Sequence, residues 1–204
     1  MSAKIQNIFP TRILQGRLPG YQKLNRELAS EIAVLEDIDG FGRKWSQSYY
    51  SGGYSSYSSM DRLHLTSPHF SELEKKLRPY VRSFAKRLNW DLGRRKLVMT
   101  TCWANSMGTG THHTMHTHPL CVLSGVYYVN VPPKSSPLKL EDPRLGLLMA
   151  APAKKSTAPA AEQNYLLLPP KAGAFVLFES WMRHEVPPHR GAKPRLSISF
   201  NYEV

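Results

Sequence analysis

The sequence lacks several features that would assign a protein to a special class at once. It has no apolar run long enough to cross a bilayer, and its N-terminus, MSAKIQNIFP, has no apolar core of a secretion signal. It has only two cysteines, Cys102 and Cys121, and they form no CxxC pair. These absences argue against a membrane protein and a disulfide-stapled one. They predict a cytoplasmic location, with both cysteines buried in strands.

Acidic residues are also scarce. The 204 residues include 15 Asp and Glu against 27 Lys and Arg, which gives a formal net charge of +12. A basic surface attracts anionic partners, so the charge permits an anionic substrate or nucleic acid but requires neither. No zinc knuckle or RNP-type motif supports nucleic-acid binding. Solvated helix faces and a basic loop are the simpler interpretation of the dense stretches LEKKLRPYVRSFAKRLNW and GRRK.

The N-terminal part, residues 1–94, has helical periodicity. In its first helix four apolar residues repeat at helical spacing: Leu24, Leu28, Ile32 and Leu35. Ser67 followed by Pro68 predicts the start of a second helix, which Pro79 should kink or divide. Between them, WSQSYYSGGYSSYSSMD is rich in Ser, Gly and Tyr and predicts an ordered loop.

After residue 94 the pattern changes to short β-rich runs separated by Pro, Gly and Ser. These runs are RKLVMTTCWANSM, CVLSGVYYVNV, YLLLPP, GAFVLFES and RLSISFNYEV. Helices followed by many short strands predict an α+β protein with a sandwich or jelly roll in residues 95–204. The length predicts one domain over residues 1–204, in which residues 1–94 form a helical and loop region that supports the β core.

A histidine cluster, HHTMHTHP, contains four of the eight histidines. His116 and His118 are two residues apart, which on a strand puts both imidazoles on one face. Neutral imidazole binds iron, zinc, copper and nickel, and His184, after the apolar run AFVLFESWMR, is the best third ligand. His112 and His113 are expected to stay outside the coordination shell. A polar loop without a metal is the alternative interpretation of the cluster.

The last strand has two different faces. One side carries Leu196, Ile198 and Phe200, and the other carries Arg195, Ser197 and Ser199. The polar face suits exposure to water. It equally suits a pocket in which Arg195 binds a carboxylate through two N–H groups and a serine adds a third donor. Strand periodicity alone leaves both interpretations open.

Three stretches carry a resemblance to a known family: MHTHPLCVLSGVYYVNVP, LKLEDPR and FESWMRHEVPPHRGAKPRLSISFNY. They resemble the prolyl-hydroxylase-like branch of the Fe(II)/2-oxoglutarate-dependent dioxygenases, in particular a bacterial and phage family of 2-oxoglutarate–Fe(II) oxygenases. The resemblance is firm over residues 100–204 and weaker before them. It implies a double-stranded β-helix (a jelly-roll, cupin-like core) with N-terminal helices against its outer face. It also implies an oxygenase, in the first instance a hydroxylase, that uses Fe(II), 2-oxoglutarate and O2 on an unknown substrate.

The resemblance also implies roles for particular residues. His116 and His184 match the two iron-binding histidines of the family, and Arg195 matches the arginine that binds the far carboxylate of 2-oxoglutarate. Ser197 lies on the same strand face, where it can assist Arg195. Tyr128, in YYVN, matches a pocket tyrosine, with core packing as the alternative interpretation.

One position departs from the usual pattern of the superfamily. His118 stands where Asp or Glu is common, so three imidazoles would leave the full charge on a divalent ion, which a dianionic cosubstrate can offset. Glu141 and Asp142 in LEDPR are minor candidates for a carboxylate ligand, since acids beside a proline are more often turn formers.

The departure keeps two other functions open. One is a three-histidine metal dioxygenase that does not use 2-oxoglutarate, in which Arg195 binds the carboxylate of the substrate. The other is a non-catalytic protein on the same fold, either a metal-stabilised binding module or a basic nucleic-acid binder.

Overall fold

The computed structural model describes residues 2–204, apart from the side chain of Leu148. Its helices are α1 (Tyr21–Ile38), α2 (Gly40–Tyr49), α3 (Leu63–Thr66), α4 (Pro68–Arg87) and α5 (Leu147–Ala150). Its strands are β1 (Ile13–Arg17), β2 (Gly53–Ser55), β3 (Val98–Met107), β4 (His113–His116), β5 (Leu123–Asn130), β6 (Leu138–Glu141), β7 (Tyr165–Leu168), β8 (Ala174–Glu179), β9 (His184–Val186) and β10 (Arg195–Glu203). Within residues 2–204 no helix combines the length and the apolar character needed to span a membrane.

The strands form two sheets. The larger has six strands in the order β1-β8-β5-β10-β3-β2, and the smaller has four in the order β4-β9-β6-β7. Neighbouring strands in both sheets are antiparallel. The predicted α+β class is therefore confirmed. Strand β10 lies in the middle of the larger sheet, with β5 on one side and β3 on the other.

Two apolar cores lie on opposite faces of the larger sheet. One face packs against α1 and α4, with residues such as Leu28, Phe70 and Phe200 fully buried in the contact. The other face packs against the smaller sheet, where Val126 and Phe178 meet Leu140. The alternating side chains of each strand serve both cores, which is why β10 carries an apolar face and a polar face.

The two long helices form where the periodicity predicts them. Ser67 caps α4 by accepting a hydrogen bond from the backbone N–H of Phe70 (3.3 Å), and Pro68 occupies the first turn. Pro79 lies inside α4 but does not divide it. A continuous buried stripe that includes Leu77 and Val81 holds both halves against the sheet, and this packing offsets the hydrogen bond that Pro79 removes.

The region between these helices was predicted wrongly in part. The first five residues of the predicted loop, 45–49, belong to helix α2, which Asp39 caps by accepting from the backbone N–H of Gly42 (2.8 Å). Only the following residues form the loop, with the short strand β2 inside it. Tyr50 and Tyr54 are buried there as expected, whereas Tyr57 is about half exposed.

The N-terminal region is also more than a helical and loop support. Its strands β1 and β2 form the two edges of the six-stranded sheet, so this prediction for residues 1–94 was wrong in that respect. Strand β1 is only five residues long and lies close against β8. A side chain at Gly16 would collide with the ring of Phe175, so glycine at this position allows the close approach.

Candidate active site

A cavity opens between the two sheets. It holds about 520 Å³ of space including its mouth, and both sheets contribute side chains to its wall. Apolar side chains such as Trp103, Val126 and Phe178 line it together with four histidines. The polar face of β10 adds a short polar row, which consists of Arg195, Ser197 and Ser199. Arg195 is the one lining residue, among those that the structure describes, whose side chain carries a fixed charge.

Three of the histidines come together on the smaller sheet. His116 at the end of β4 lies directly opposite His184 at the start of β9. His118 lies beyond the end of β4, and its backbone N–H donates to the carbonyl of Ser180 (3.0 Å). The three side chains offer nitrogen atoms within 4.8 Å of one another. They meet as the sequence predicts, but irregular chain beyond β4, held by the bond to Ser180, brings His118 into place and not strand alternation.

Each of these imidazoles is held at Nδ1. His116 Nδ1 donates to the carbonyl of Thr114 (2.7 Å), and His184 Nδ1 donates to that of Met182 (2.9 Å). His118 Nδ1 donates to Oδ1 of Asn201 (2.7 Å). An imidazole that donates from Nδ1 presents a free electron pair at Nε2 when neutral, which is the form that binds a metal ion.

The geometry passes a simple test for one bound ion. Two nitrogens that each lie about 2.1 Å from an ion, at roughly a right angle, are about 3 Å apart. The Nε2 atoms of His118 and His184 are 3.2 Å apart. Three nitrogen donors of this kind suit iron, zinc, copper or nickel, so the residues fit the ion that the sequence predicts.

Burial keeps the cluster neutral. Desolvation, together with the neighbouring imidazoles, lowers the pKa of His118 to about 4 and that of His184 to about 2. Desolvation lowers the pKa of His116 too, although its hydrogen bond to Thr114 opposes this. At neutral pH all three histidines are therefore unprotonated and able to bind a cation.

Arg195 lies at the other end of the polar row. Its side chain is only 2% exposed, and among residues 2–204 no carboxylate lies within 4.0 Å of its guanidinium. Nη1 donates to the sulfur of Met107 (3.0 Å) and to Oγ of Ser197 (3.3 Å), and Nε has no partner within the described chain. A buried cation without an anion is costly, so this end of the cavity suits a carboxylate.

Tyr128 and Ser197 both adjoin Arg195. The guanidinium carbon of Arg195 lies 4.9 Å from the ring centre of Tyr128, in a cation–π contact. Burial raises the pKa of Tyr128, and its hydroxyl finds no partner within the described residues. Tyr128 also packs in the core between the sheets. It therefore makes the contacts of a pocket tyrosine and those of a core residue. The polar face of β10 thus faces the cavity and not water.

The remaining candidates lie elsewhere or have different contacts. Asp142 pairs with Arg144 (2.7 Å) and Glu141 with Arg183 (2.9 Å), and neither belongs to the group of metal-ligand atoms around His116. His112 is exposed. His113, which was expected outside the coordination shell, is not in that group but lines the cavity, with its ring centre 4.1 Å from that of His116.

Sequence analysis missed some residues of the site. Asn201 contacts His118, and Tyr50 and Met107 contribute to the cavity wall near Arg195. Asn201 could have been found from the period of β10, because it lies on the same face as Arg195 and Ser197. Tyr50 gives no such signal, since it ends a helix that is distant in sequence.

The fold and the histidine cluster together define a class: a double-stranded β-helix with a metal site in its mouth. Residues 101–201 match the protein family described as "Putative 2OG-Fe(II) oxygenase". This half of the chain belongs to that family, and the protein is an enzyme that uses iron and 2-oxoglutarate. No curated protein sequence matches the chain.

Several solved structures share the fold. A prolyl-4-hydroxylase from Pseudomonas putida is similar with a TM-score of 0.63 at 17% identity, over 95% of this chain and 92% of that one. HygX from Streptomyces hygroscopicus, with nickel and 2-oxoglutarate bound, has a TM-score of 0.64 at 12% identity, over 95% of this chain and 83% of that one. The viral collagen prolyl hydroxylase of Paramecium bursaria Chlorella virus-1, in complex with 2-oxoglutarate, has a TM-score of 0.61 at 9% identity, over 94% of this chain and 96% of that one. The predicted double-stranded β-helix is confirmed.

Proposed function

We propose that the protein is a hydroxylase in which His116, His118 and His184 bind Fe(II) and Arg195 binds the far carboxylate of 2-oxoglutarate. Ser197 and Tyr128 support Arg195 in this role. One observation carries the proposal: a single cavity contains three imidazoles whose Nε2 atoms can bind an ion, and a buried arginine to which residues 2–204 offer no anion. A cation site and an anion site in one cavity suit a cosubstrate that bridges them.

When bound, iron and 2-oxoglutarate supply the oxidation of a C–H bond by O2, with release of CO2 and succinate. The protein contributes binding and exclusion of water. Arg195 offers an Nε–H donor that no residue of the described chain accepts, and Trp103, Val126 and Phe178 shield the cavity with apolar surface. The prolyl hydroxylases among the similar structures support hydroxylation as the type of reaction.

His118 gives the site a charge different from that of a site with a carboxylate ligand. Three neutral histidines leave the charge of Fe(II) unreduced, and Arg195 adds another positive charge in the same cavity. This strengthens the attraction for the dianionic cosubstrate.

The net charge of +12 supports an anionic substrate. The test is a paired screen of anionic compounds and their neutral analogues, with succinate release as the readout. A preference for the anionic member that weakens as salt is added would support this part of the proposal. Polynucleotide binding that survives His116→Ala would instead favour a non-catalytic binding protein.

The experiment that tests the function is an anaerobic titration of the metal-free protein with Fe(II) and then 2-oxoglutarate. We expect a weak visible charge-transfer band that needs both additions and is lost in Arg195→Met, followed by succinate formation when O2 is admitted. A band that forms equally well in Arg195→Met would remove Arg195 from the proposal. Iron binding with no band and no succinate would favour the three-histidine dioxygenase.

A further inference from the structure

The three histidines are not held in the same way. His116 and His184 each donate to a backbone carbonyl only two residues earlier in the chain, so the local backbone fixes their orientation. His118 depends on a side chain, that of Asn201, which is 83 residues away in sequence and lies on the other sheet. One of the three nitrogen donors is therefore set by a distant residue.

Asn201 is itself held from both sides. It lies directly opposite Thr101 on β3 and Ser124 on β5. Its Nδ2 donates to Oγ1 of Thr101 (2.9 Å), and its Oδ1 accepts from Oγ of Ser124 (2.7 Å). Asn201 is 5% exposed, so water has little access to compete for these bonds. The amide is thus held in one orientation, with its oxygen towards His118.

The hydrogen bonds around Asn201 form a closed circuit. Oγ of Ser124 is 2.8 Å from Oγ of Ser180, and the carbonyl of Ser180 accepts from the backbone N–H of His118. The circuit therefore begins and ends at His118, fixing both its backbone and its ring. Both serines are fully buried.

This arrangement selects one form of the neutral imidazole. With Oδ1 of Asn201 as the acceptor, the hydrogen must sit on Nδ1 of His118, and Nε2 is left with its electron pair facing Nε2 of His184. Without an acceptor at Nδ1, a neutral imidazole favours the opposite form, with hydrogen on Nε2. That form cannot bind a metal through Nε2.

We infer that Asn201 is a positioning residue that holds His118 in the Nδ1–H form and so makes it a metal ligand. The inference rests on the ligand assignment of the proposed function. Hydrogen bonds of this kind change metal affinity by about 10–100-fold in known sites. An uncharged amide in this place orients the ring without adding a negative charge to the site.

The first test needs no metal. Long-range ¹H–¹⁵N NMR spectra of the metal-free protein distinguish the two neutral forms of each histidine. We expect the Nδ1–H form of His118 in the wild type and in Asn201→Asp, whose carboxylate accepts the same bond. We expect a shift towards the Nε2–H form in Asn201→Leu. An Nε2–H form of His118 in the wild type would overturn the inference.

The second test measures the affinity for Co(II) from its visible absorption in competition with a chelator. We expect affinity to fall about 10–100-fold in Asn201→Leu and to be retained in Asn201→Asp. Tyr202→Phe is the matched control, because it removes a buried hydroxyl from the next residue of β10, which packs in the helix-side core. We expect it to bind Co(II) as the wild type does.

The outcomes separate this inference from the proposed function. If His118→Ala binds Co(II) as tightly as the wild type, His118 is not a ligand and the ligand assignment itself is wrong. If it depends on His118 but Asn201→Leu binds Co(II) like the wild type, only the role of Asn201 is wrong. Should Asn201→Leu fail to fold, Asn201→Ala also lacks the acceptor and is judged by the same two criteria.

Discussion

The two ends of the cavity differ in charge and in how completely their polar groups are bonded. At the histidine end each Nδ1 has an acceptor, and burial keeps the rings neutral. At the other end Arg195 keeps its charge while its Nε and the hydroxyl of Tyr128 lack partners within residues 2–204. The histidine end therefore presents electron pairs to a cation, whereas the arginine end presents unfilled donors to an anion.

The largest expected effect is on metal affinity, which should depend on the histidine end of the cavity and not on the arginine end. His184→Ala removes one of the three nitrogen donors, and we expect Co(II) affinity to fall more than about 100-fold, beyond the loss caused by removing a supporting hydrogen bond. Arg195→Met should bind Co(II) within a few-fold of the wild type, since Arg195 is not in the ligand group. Chelator competition measures both. Equal losses in the two variants would show that the ends are not independent.

Arg195→Met should have the reverse effect on 2-oxoglutarate. Breaking one side of a buried charge pair costs about 2–5 kcal/mol, so we expect the Kd of 2-oxoglutarate for the Co(II)-loaded protein to rise at least about 30-fold. Isothermal titration calorimetry measures this directly. Unchanged affinity in this variant would place the carboxylate elsewhere in the cavity.

The next effect is on acid sensitivity at the histidine end. Three histidines with the ordinary pKa of about 6.5 would each be about three-quarters protonated at pH 6, which would lower metal affinity about 70-fold. Because the pKa values of His118 and His184 lie at about 4 and 2, we expect Co(II) affinity to be nearly the same at pH 6 and pH 7.5. A large loss at pH 6 would show that the metal-free cluster takes up protons.

The same lowered pKa values have a consequence for stability. Below pH 6.5 the unfolded chain takes up protons that the folded cluster does not, so the stability is fully present above that pH and falls as the pH drops towards 4. Thermal unfolding of the metal-free protein at several pH values measures this loss. We expect Arg195→Met to show the same acid sensitivity, because it leaves all three histidines of the cluster in place.

Arg195→Met should also change stability, and in the favourable direction. It replaces a buried, unpaired charge by an apolar side chain of similar length, which we expect to stabilise the metal-free protein by about 1–4 kcal/mol. The measurement is chemical denaturation of both proteins without 2-oxoglutarate. A destabilised variant would indicate that the contacts with Met107 and Tyr128 satisfy Arg195 without an anion.

The smallest effect concerns Ser197. Its hydroxyl accepts a long hydrogen bond from the guanidinium of Arg195 (3.3 Å), so Ser197→Ala removes a support of Arg195 and not a bond to the cosubstrate. We therefore expect the Kd of 2-oxoglutarate to rise only about 2–10-fold. Metal affinity should not change. A loss as large as that of Arg195→Met would give Ser197 a direct contact with the cosubstrate.

The sequence predicted much of this site for specific physical reasons. The alternation of β10 placed Arg195 and Ser197 on one face, because a strand repeats every two residues, and the family resemblance assigned that face to a pocket. The bond between His118 and Asn201 could not be predicted, since it depends on register between distant strands and on the path of the irregular chain after β4. Helix α2 was missed because its Ser and Gly content is typical of loops, while the Asp39 cap outweighs it. Cytoplasmic location and a single domain stay predictions.

Strand β10 carries both Arg195 and Asn201, six residues apart on one face. Its ladders are interrupted twice, between Leu196 and Ser197 on the β5 side and between Asn201 and Tyr202 on the β3 side. A slip of one residue in this strand would turn both side chains away from the cavity at the same moment. A molecule with β10 in the wrong register therefore loses its cation site and its anion site together. Enzyme activity then measures the fraction of molecules with the correct register, and we expect no misfolded form with partial activity.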